Sequence, residues 1–270
     1  MKLAVVLSTH PAQFQAATFK GDLDENLAYI AGLGYDGVEF AIRDPKLVDE
    51  GALAAAVERH GLDVPAIGTG QAWGEERLSF TDPDPAVRAA ALDRLESHIP
   101  FAARMGAVII VGLIRGLFRQ EVPPEQTMDW LIDGLRQCAR AAAPHGVRLA
   151  LEPLNRYETS LINSVGEALD AIERVGEENL GLLPDTFHMN IEDRSIEESL
   201  RQAGDRVIHF HVADSNRWHP GGGHLDFAAI LDLLRGIGYA GYVSGEFLPL
   251  PDARTAAAEA IDHLRAALGG

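Results

Sequence analysis

Short apolar runs alternate with longer amphipathic stretches from one end of the chain to the other. The runs that read as strands are Leu3–Leu7, Gly37–Ala41, Val64–Ile67, Ala107–Gly112, Arg148–Glu152, Gly181–Asp185, Val207–Val212 and Tyr242–Glu246. Most are continuous Val, Ile, Leu and Ala, the pattern of parallel strands covered on both faces. Between them the spacing predicts helices, among them Asp84–Met105, Pro124–His145 and Ser164–Arg174. Asp84-Pro85 supplies an N-cap followed by a first-turn proline, and Ser164 with Glu167 forms a capping box. Glycine-bearing turns at Gly34, Gly61, Gly106, Gly146 and Gly238 then lead back into strands. Eight such units in 270 residues fit one closed (β/α)8 barrel, a TIM barrel spanning 1–270 as a single domain. An open doubly wound sheet carries a glycine-rich loop after its first strand, where this chain has Ser8-Thr9-His10-Pro11.

In a barrel, chemistry is built at the C-terminal ends of the strands. Four consecutive strands deliver an acid or an imidazole there: Glu152, Asp185, His211 and Glu246. A single acidic strand end is ordinary surface chemistry. Four in succession would repel one another unless a cation held them together, since an apolar barrel gives unpaired carboxylates no other reason to be there. Three carboxylates with one nitrogen favour Mn2+, Mg2+ or Co2+ over a structural zinc. Glu158 and His188 follow two of these strand ends, and Arg217 follows a third. From the residues alone each is open between an exposed loop position and a substrate contact. His209 shares strand parity with His211 but lies two residues deeper, and is expected to fill the barrel or support a ligand from behind.

Composition narrows the partners. Forty Asp and Glu against 23 Lys and Arg give a formal charge of −17, which repels nucleic acid and anionic membrane surfaces. Cys138 is the single cysteine and falls in an apolar helical stretch, so a buried thiol and a reducing, cytoplasmic setting are expected. The N-terminus has neither the apolar length nor the cleavage site of a signal peptide, and no stretch reaches the length of a membrane span. Gly68-Thr69-Gly70 looks like half a dinucleotide fingerprint, but Trp73 stands where the third glycine belongs and no helix is expected to start at once. It reads better as a substrate-lining loop. Gly221-Gly222-Gly223 reads as a connector beyond the seventh strand rather than a phosphate cradle.

The set Glu152, Asp185, His211 and Glu246, with Glu158, His188 and Arg217, resembles the xylose-isomerase-like sugar isomerases and epimerases, in particular their ketose 3-epimerase branch. A narrower resemblance is to the epimerases that interconvert 5-keto-L-gluconate and D-tagaturonate in bacterial myo-inositol breakdown. Its blocks are Phe19-Lys20-Gly21-Asp22-Leu23, Ile67-Gly68-Thr69-Gly70-Gln71-Ala72, Glu152-Pro153-Leu154-Asn155-Arg156-Tyr157-Glu158-Thr159, Asp185-Thr186-Phe187-His188-Met189-Asn190-Ile191-Glu192 and the run from His209 to Trp218. The resemblance implies a divalent metal, Mn2+ first, on the four ligands, with Glu152 and Glu246 also moving the proton beside the ketone. It implies substrate contacts from Glu158, His188 and Arg217, with Gln71 lining the site. A uronate carboxylate needs a cation of its own, and Arg115, just past the fourth strand, is the candidate. A neutral ketose 3-epimerase (D-tagatose or D-fructose type), a hydroxypyruvate isomerase, an abasic-site endonuclease of the same barrel, against which the charge of −17 argues, and a non-catalytic sugar-binding protein are the alternatives. Aromatic and apolar residues at Trp218-His219-Pro220 and Phe247-Leu248-Pro249-Leu250-Pro251 suggest a site cover or the contact of a homodimer or homotetramer.

Overall fold

The computed structural model describes residues 1–11 and 14–269. Its strands are β1 (Lys2–Ser8), β2 (Phe19–Lys20), β3 (Gly37–Ala41), β4 (Ala66–Gly68), β5 (Val108–Val111), β6 (Leu149–Leu151), β7 (Leu180–Leu182), β8 (Phe210–Val212) and β9 (Tyr242–Gly245). All the pairings are parallel, in the order β7-β6-β5-β4-β3-β1-β9-β8. β2 is an addition to the expected eight, a two-residue strand beside the end of β1.

The remaining joint, between β7 and β8, closes the barrel without a continuous ladder. Isolated bridges pair Leu182 with Val207 and Asp185 with His211. The Ile208 amide donates to Leu182 O at 3.0 Å and the His211 amide to Pro184 O at 3.0 Å. The Thr186 hydroxyl adds a side-chain link, donating to Ala213 O at 2.6 Å and accepting from the Ala213 amide at 3.0 Å.

Helices wrap the outside, and their ends follow the capping signals. Asp84 caps Pro85–Ser97, and Ser164 with Glu167 makes the capping box of Val165–Val175. The stretch expected as one helix over Asp84–Met105 is two, Pro85–Ser97 and Ile99–Met105, broken at His98. Pro100 explains the break: it has no N–H to continue the ladder and fits only a first turn. Residues Gln71–Glu76, expected as loop, form a short helix directly after Gly70.

Two apolar layers result. Ile109, Val111, Leu149 and Leu151 face outward against the helices, while Ala66, Val108, Ile110, Ala150 and Leu183 form a smaller cluster. Alternation along β5 and β6 places that second set on the inner face. Cys138 is fully buried in the outer layer, and burial pushes its thiol well up, so it is inert packing. Glu39, His209 and His211 are buried polar residues among these strands. Among the described residues no helix is long and apolar enough to cross a membrane.

Candidate active site

The strand ends place Glu152, Asp185, His211 and Glu246 so that one donor atom from each lies within 4.8 Å of the others. All four are buried. Glu152 follows β6 directly, with its Oε1 3.1 Å from His211 Nδ1. The same nitrogen is 3.9 Å from Asp185 Oδ2 and 4.0 Å from Glu246 Oε2. Asp185 is also the N-cap of the helix Thr186–Glu192, where its Oδ1 accepts from the amides of Phe187 at 2.7 Å and His188 at 3.4 Å. That fixes the carboxylate and leaves Oδ2 buried with no hydrogen-bond partner.

The electrostatics fit a cation. Burial, with Glu152 adding to it, raises the Asp185 carboxyl to about 6, against the pull of His211, Arg217 and the capping amide. Burial likewise drives Glu246 well above the carboxylate range, with Glu152 and Asp185 pushing the same way. Burial opposes charging of His211, but the carboxylates of Glu39, Glu246 and Glu152 outweigh it and hold the imidazolium well above its usual range. An orphaned carboxylate oxygen, two further crowded carboxylates and one imidazole nitrogen form an oxygen-rich donor set suited to a divalent ion.

Around this centre lies a cavity of about 270 Å³, walled by Glu39, Gln71, Trp73, Glu158, Arg217 and Leu113, among others. Arg217 joins two of the acids: Nη1 donates to Glu158 Oε1 at 2.6 Å and Nη2 to Glu246 Oε2 at 3.2 Å. Its guanidinium lies 4.9 Å from the centroid of the Phe187 ring. Its backbone sits at φ 62°, a conformation disfavoured outside glycine, held by bonds of 2.8 Å from its own amide to Asp214 O and from the Leu248 amide to its carbonyl. Asn155 Nδ2 donates both to Glu158 Oε1 at 3.0 Å and to His188 Nδ1 at 2.8 Å. The His188 proton must therefore sit on Nε2, which is buried without a partner. Burial foremost, then Arg217 and His211, keep this imidazole neutral. Gln71 donates from Nε2 to Ser8 Oγ at 2.8 Å and leaves Oε1 unpartnered beside the cavity.

Arg115 departs from the expectation of a carboxylate partner. It is fully buried, does not wall the cavity, and spends its three nitrogens on backbone carbonyls: Nε on Leu161, Nη1 on Gly112 and Nη2 on Ile162, at 2.9–3.0 Å. It clamps the turn after β5 to the loop after β6. The loop at Gly221-Gly222-Gly223 folds back onto the Asp214 carboxylate, whose Oδ2 accepts from the Gly221 amide at 2.9 Å and Oδ1 from the Leu225 amide at 3.1 Å. Phe247, His219 and Pro220 are buried, while Trp218, Leu250 and Pro251 are exposed and Leu248 and Pro249 half-buried, so only part of the expected apolar contact reaches the surface.

Sequence reasoning missed Glu39 and the bridging role of Asn155. The signal for Glu39 was there, an acid interrupting the apolar run Gly37–Ala41. Asn155 has no such signal, because its partners come together only in the fold.

The chain belongs to the xylose isomerase-like TIM barrel family, whose profile matches residues 27–267. Among its relatives, an L-ribulose 3-epimerase of Mesorhizobium japonicum is 33% identical over 243 residues, covering 89% of this chain and 80% of that one. A 3-dehydro-D-guloside 4-epimerase of Escherichia coli is 32% identical, covering 84% and 87%. The crystal structure of a 3-keto-D-glucoside 4-epimerase from E. coli superposes with a TM-score of 0.80 at 29% identity, over 97% of this chain and 99% of that one. By family and relatives, this chain is an enzyme of the carbohydrate isomerase type.

Proposed function

We propose that the protein is a divalent-metal-dependent epimerase that inverts the carbon beside the ketone of a keto sugar acid, with 5-keto-L-gluconate and D-tagaturonate as the interconverted pair. The observation that carries the reading is the buried, unpartnered Asp185 Oδ2 facing Glu152, Glu246 and His211 at a cavity of sugar size. The resemblance of the blocks around Glu152, Asp185 and His211 to keto-acid epimerases supports the substrate.

Glu152, Asp185, His211 and Glu246 would hold the ion, Mn2+ first. When bound, it supplies the positive charge that makes the C–H beside a ketone acidic. Glu152 removes that proton from one face, and Glu246 returns one to the other, so the carbon inverts. Arg217 keeps Glu246 Oε2 in place through its second bond to Glu158. Gln71 offers its free Oε1 to a substrate hydroxyl from the cavity wall, and His188, which does not wall the cavity but keeps a free Nε2–H, is the second proposed hydroxyl contact.

A second reading, epimerisation of a neutral ketose, is favoured by the charge of the walls. Arg217 is the one Lys or Arg on the described cavity wall, against five glutamates, and Arg115 is sequestered. The test is to strip the protein of metal, restore Mn2+ and offer 5-keto-L-gluconate, D-tagatose, D-fructose and L-ribulose in D2O. Products are separated and deuterium is counted by mass spectrometry. Metal-dependent D-tagaturonate carrying one deuterium at the inverted carbon supports the keto-acid reading. Turnover of the neutral ketoses alone establishes the second, and no turnover of any substrate overturns both.

A further inference from the structure

Glu39 is only 2% exposed, yet it is a carboxylate in the middle of an otherwise apolar strand. Both of its oxygens lie 3.0 Å from His211 Nε2. Its Oε2 also lies 2.8 Å from His209 Nε2. The two imidazole rings stand nearly perpendicular, 77° apart with centroids at 5.4 Å, so each presents an edge to the same carboxylate. Both imidazoles serve as donors and Glu39 as acceptor, because a carboxylate has nothing to give back.

His211 can offer a lone pair from Nδ1 to a cation only if its proton resides on Nε2. Glu39 is the group that receives that Nε2–H, and by engaging it with both oxygens it also sets the plane of the ring. His209 in turn restrains Glu39. The same three residues could be taken for a cation site of their own. However, contacts of 2.8 and 3.0 Å are those of N–H···O bonds, and a cation there would need His211 stripped of its Nε2 proton as well.

We propose that Glu39, restrained by His209, is a positioning residue that fixes the Nε2-protonated tautomer and the orientation of His211, and so sets the affinity of the Glu152–Asp185–His211–Glu246 centre for its divalent cation. The inference rests on the metal centre of the proposed function and is independent of which sugar is turned over.

Glu39→Gln separates this role from mere space filling. The carboxamide has nearly the same shape but replaces one acceptor oxygen with an NH2 group. Whichever way the amide lies, that group meets an imidazole N–H. With at most one acceptor oxygen left for both rings, the Nε2–H of His211 is held less firmly, so the neutral tautomer with its proton on Nδ1, which cannot ligate, competes with the one that can.

The experiment measures Mn2+ affinity and stoichiometry by chelator competition on the full chain, for the wild type, Glu39→Gln, Glu39→Asp and His209→Gln. Near-UV circular dichroism of the metal-free proteins reports the fold. The expected result is one ion per wild-type chain and a 10- to 100-fold weaker Mn2+ complex for Glu39→Gln, roughly the usual effect of losing such a partner. Glu39→Asp should recover part of the loss, and His209→Gln should weaken binding severalfold. Co2+ substitution should show an altered visible spectrum in Glu39→Gln at saturating metal.

A Glu39→Gln protein that folds and binds Mn2+ within threefold of wild type overturns the proposal. So do two ions per wild-type chain with one lost in Glu39→Gln, which would make Glu39 a ligand. Should Glu39→Gln not fold, His209→Gln decides: wild-type affinity and an unchanged Co2+ spectrum there overturn the proposal. Weakened Mn2+ binding with no turnover of any sugar would sink the epimerase reading and leave this one standing.

Discussion

Replacing Arg115 with methionine keeps the aliphatic stem and removes the guanidinium. The loss falls on three carbonyls, Gly112, Leu161 and Ile162, each now bonded at 2.9–3.0 Å by a charged donor. Burial lowers the Arg115 pKa to about 10, with Glu152 opposing, so the group is still charged at neutral pH. Hydrogen bonds to charged groups are worth about 1.5–3 kcal/mol each, and the relief of no longer burying a cation offsets part of the sum. A net loss of about 3–5 kcal/mol follows, as a Tm drop on the order of 10 °C. Ile162 sharpens the effect: its backbone sits at φ 58°, strained for a β-branched residue, and one of the three bonds holds it there. The assay is denaturant unfolding of metal-loaded protein beside steady-state kinetics on keto acids and neutral ketoses. Stability within about 1 kcal/mol of wild type, with KM raised for the acid alone, would refute this reasoning and return Arg115 to the substrate.

His98 sits fully buried at the helix break, with neither ring nitrogen bonded; burial foremost, then Arg94, lowers its pKa to about 3, against Asp44. Above pH 6.5 both folded and unfolded chains carry it neutral; below, only the unfolded chain takes up the proton. Stability should therefore fall by about 1.4 kcal/mol per pH unit between the two pKa values, and His98→Leu should remove that component. Parallel unfolding curves for the two proteins from pH 7 to 5 would contradict it. Gly116 has φ 95°, and a Cβ there would overlap Thr81 Oγ1 and Ser79 Oγ. Gly116→Ala should cost at least about 1–3 kcal/mol from backbone strain, and an unchanged denaturation midpoint would count against this.

Most of the barrel was legible because parallel strands buried on both faces write themselves as uninterrupted apolar runs, and capping residues mark the helix starts. The helix over 84–105 was misread because an apolar period runs through the break while only Pro100 signals it. The four strand-end residues that cluster as Glu152, Asp185, His211 and Glu246 could be found from chain position alone, since barrel geometry dictates where strand ends converge. Arg115 could not be placed that way. It lies just past a strand end like the others, and only the path of the loop at Leu161 and Ile162 turns it away from the cavity. Asn155 was hidden for the same reason: its bonds to Glu158 and His188 join two loops.

The joint between β7 and β8 has a further consequence. Elsewhere the barrel is zipped by ladders, but here it depends on two isolated bridges, one of them between Asp185 and His211. Those two residues are also ligands of the proposed centre, one from each side of the gap. A shared cation would act as a hoop around loosely fitted staves, cross-linking the ring at its weakest joint. Metal loss should then register first as faster exchange of the Ile208 and His211 amides, while the β1–β3 ladder on the far side keeps its protection. Occupancy of the proposed centre and closure of the cylinder would then be a single mechanical event.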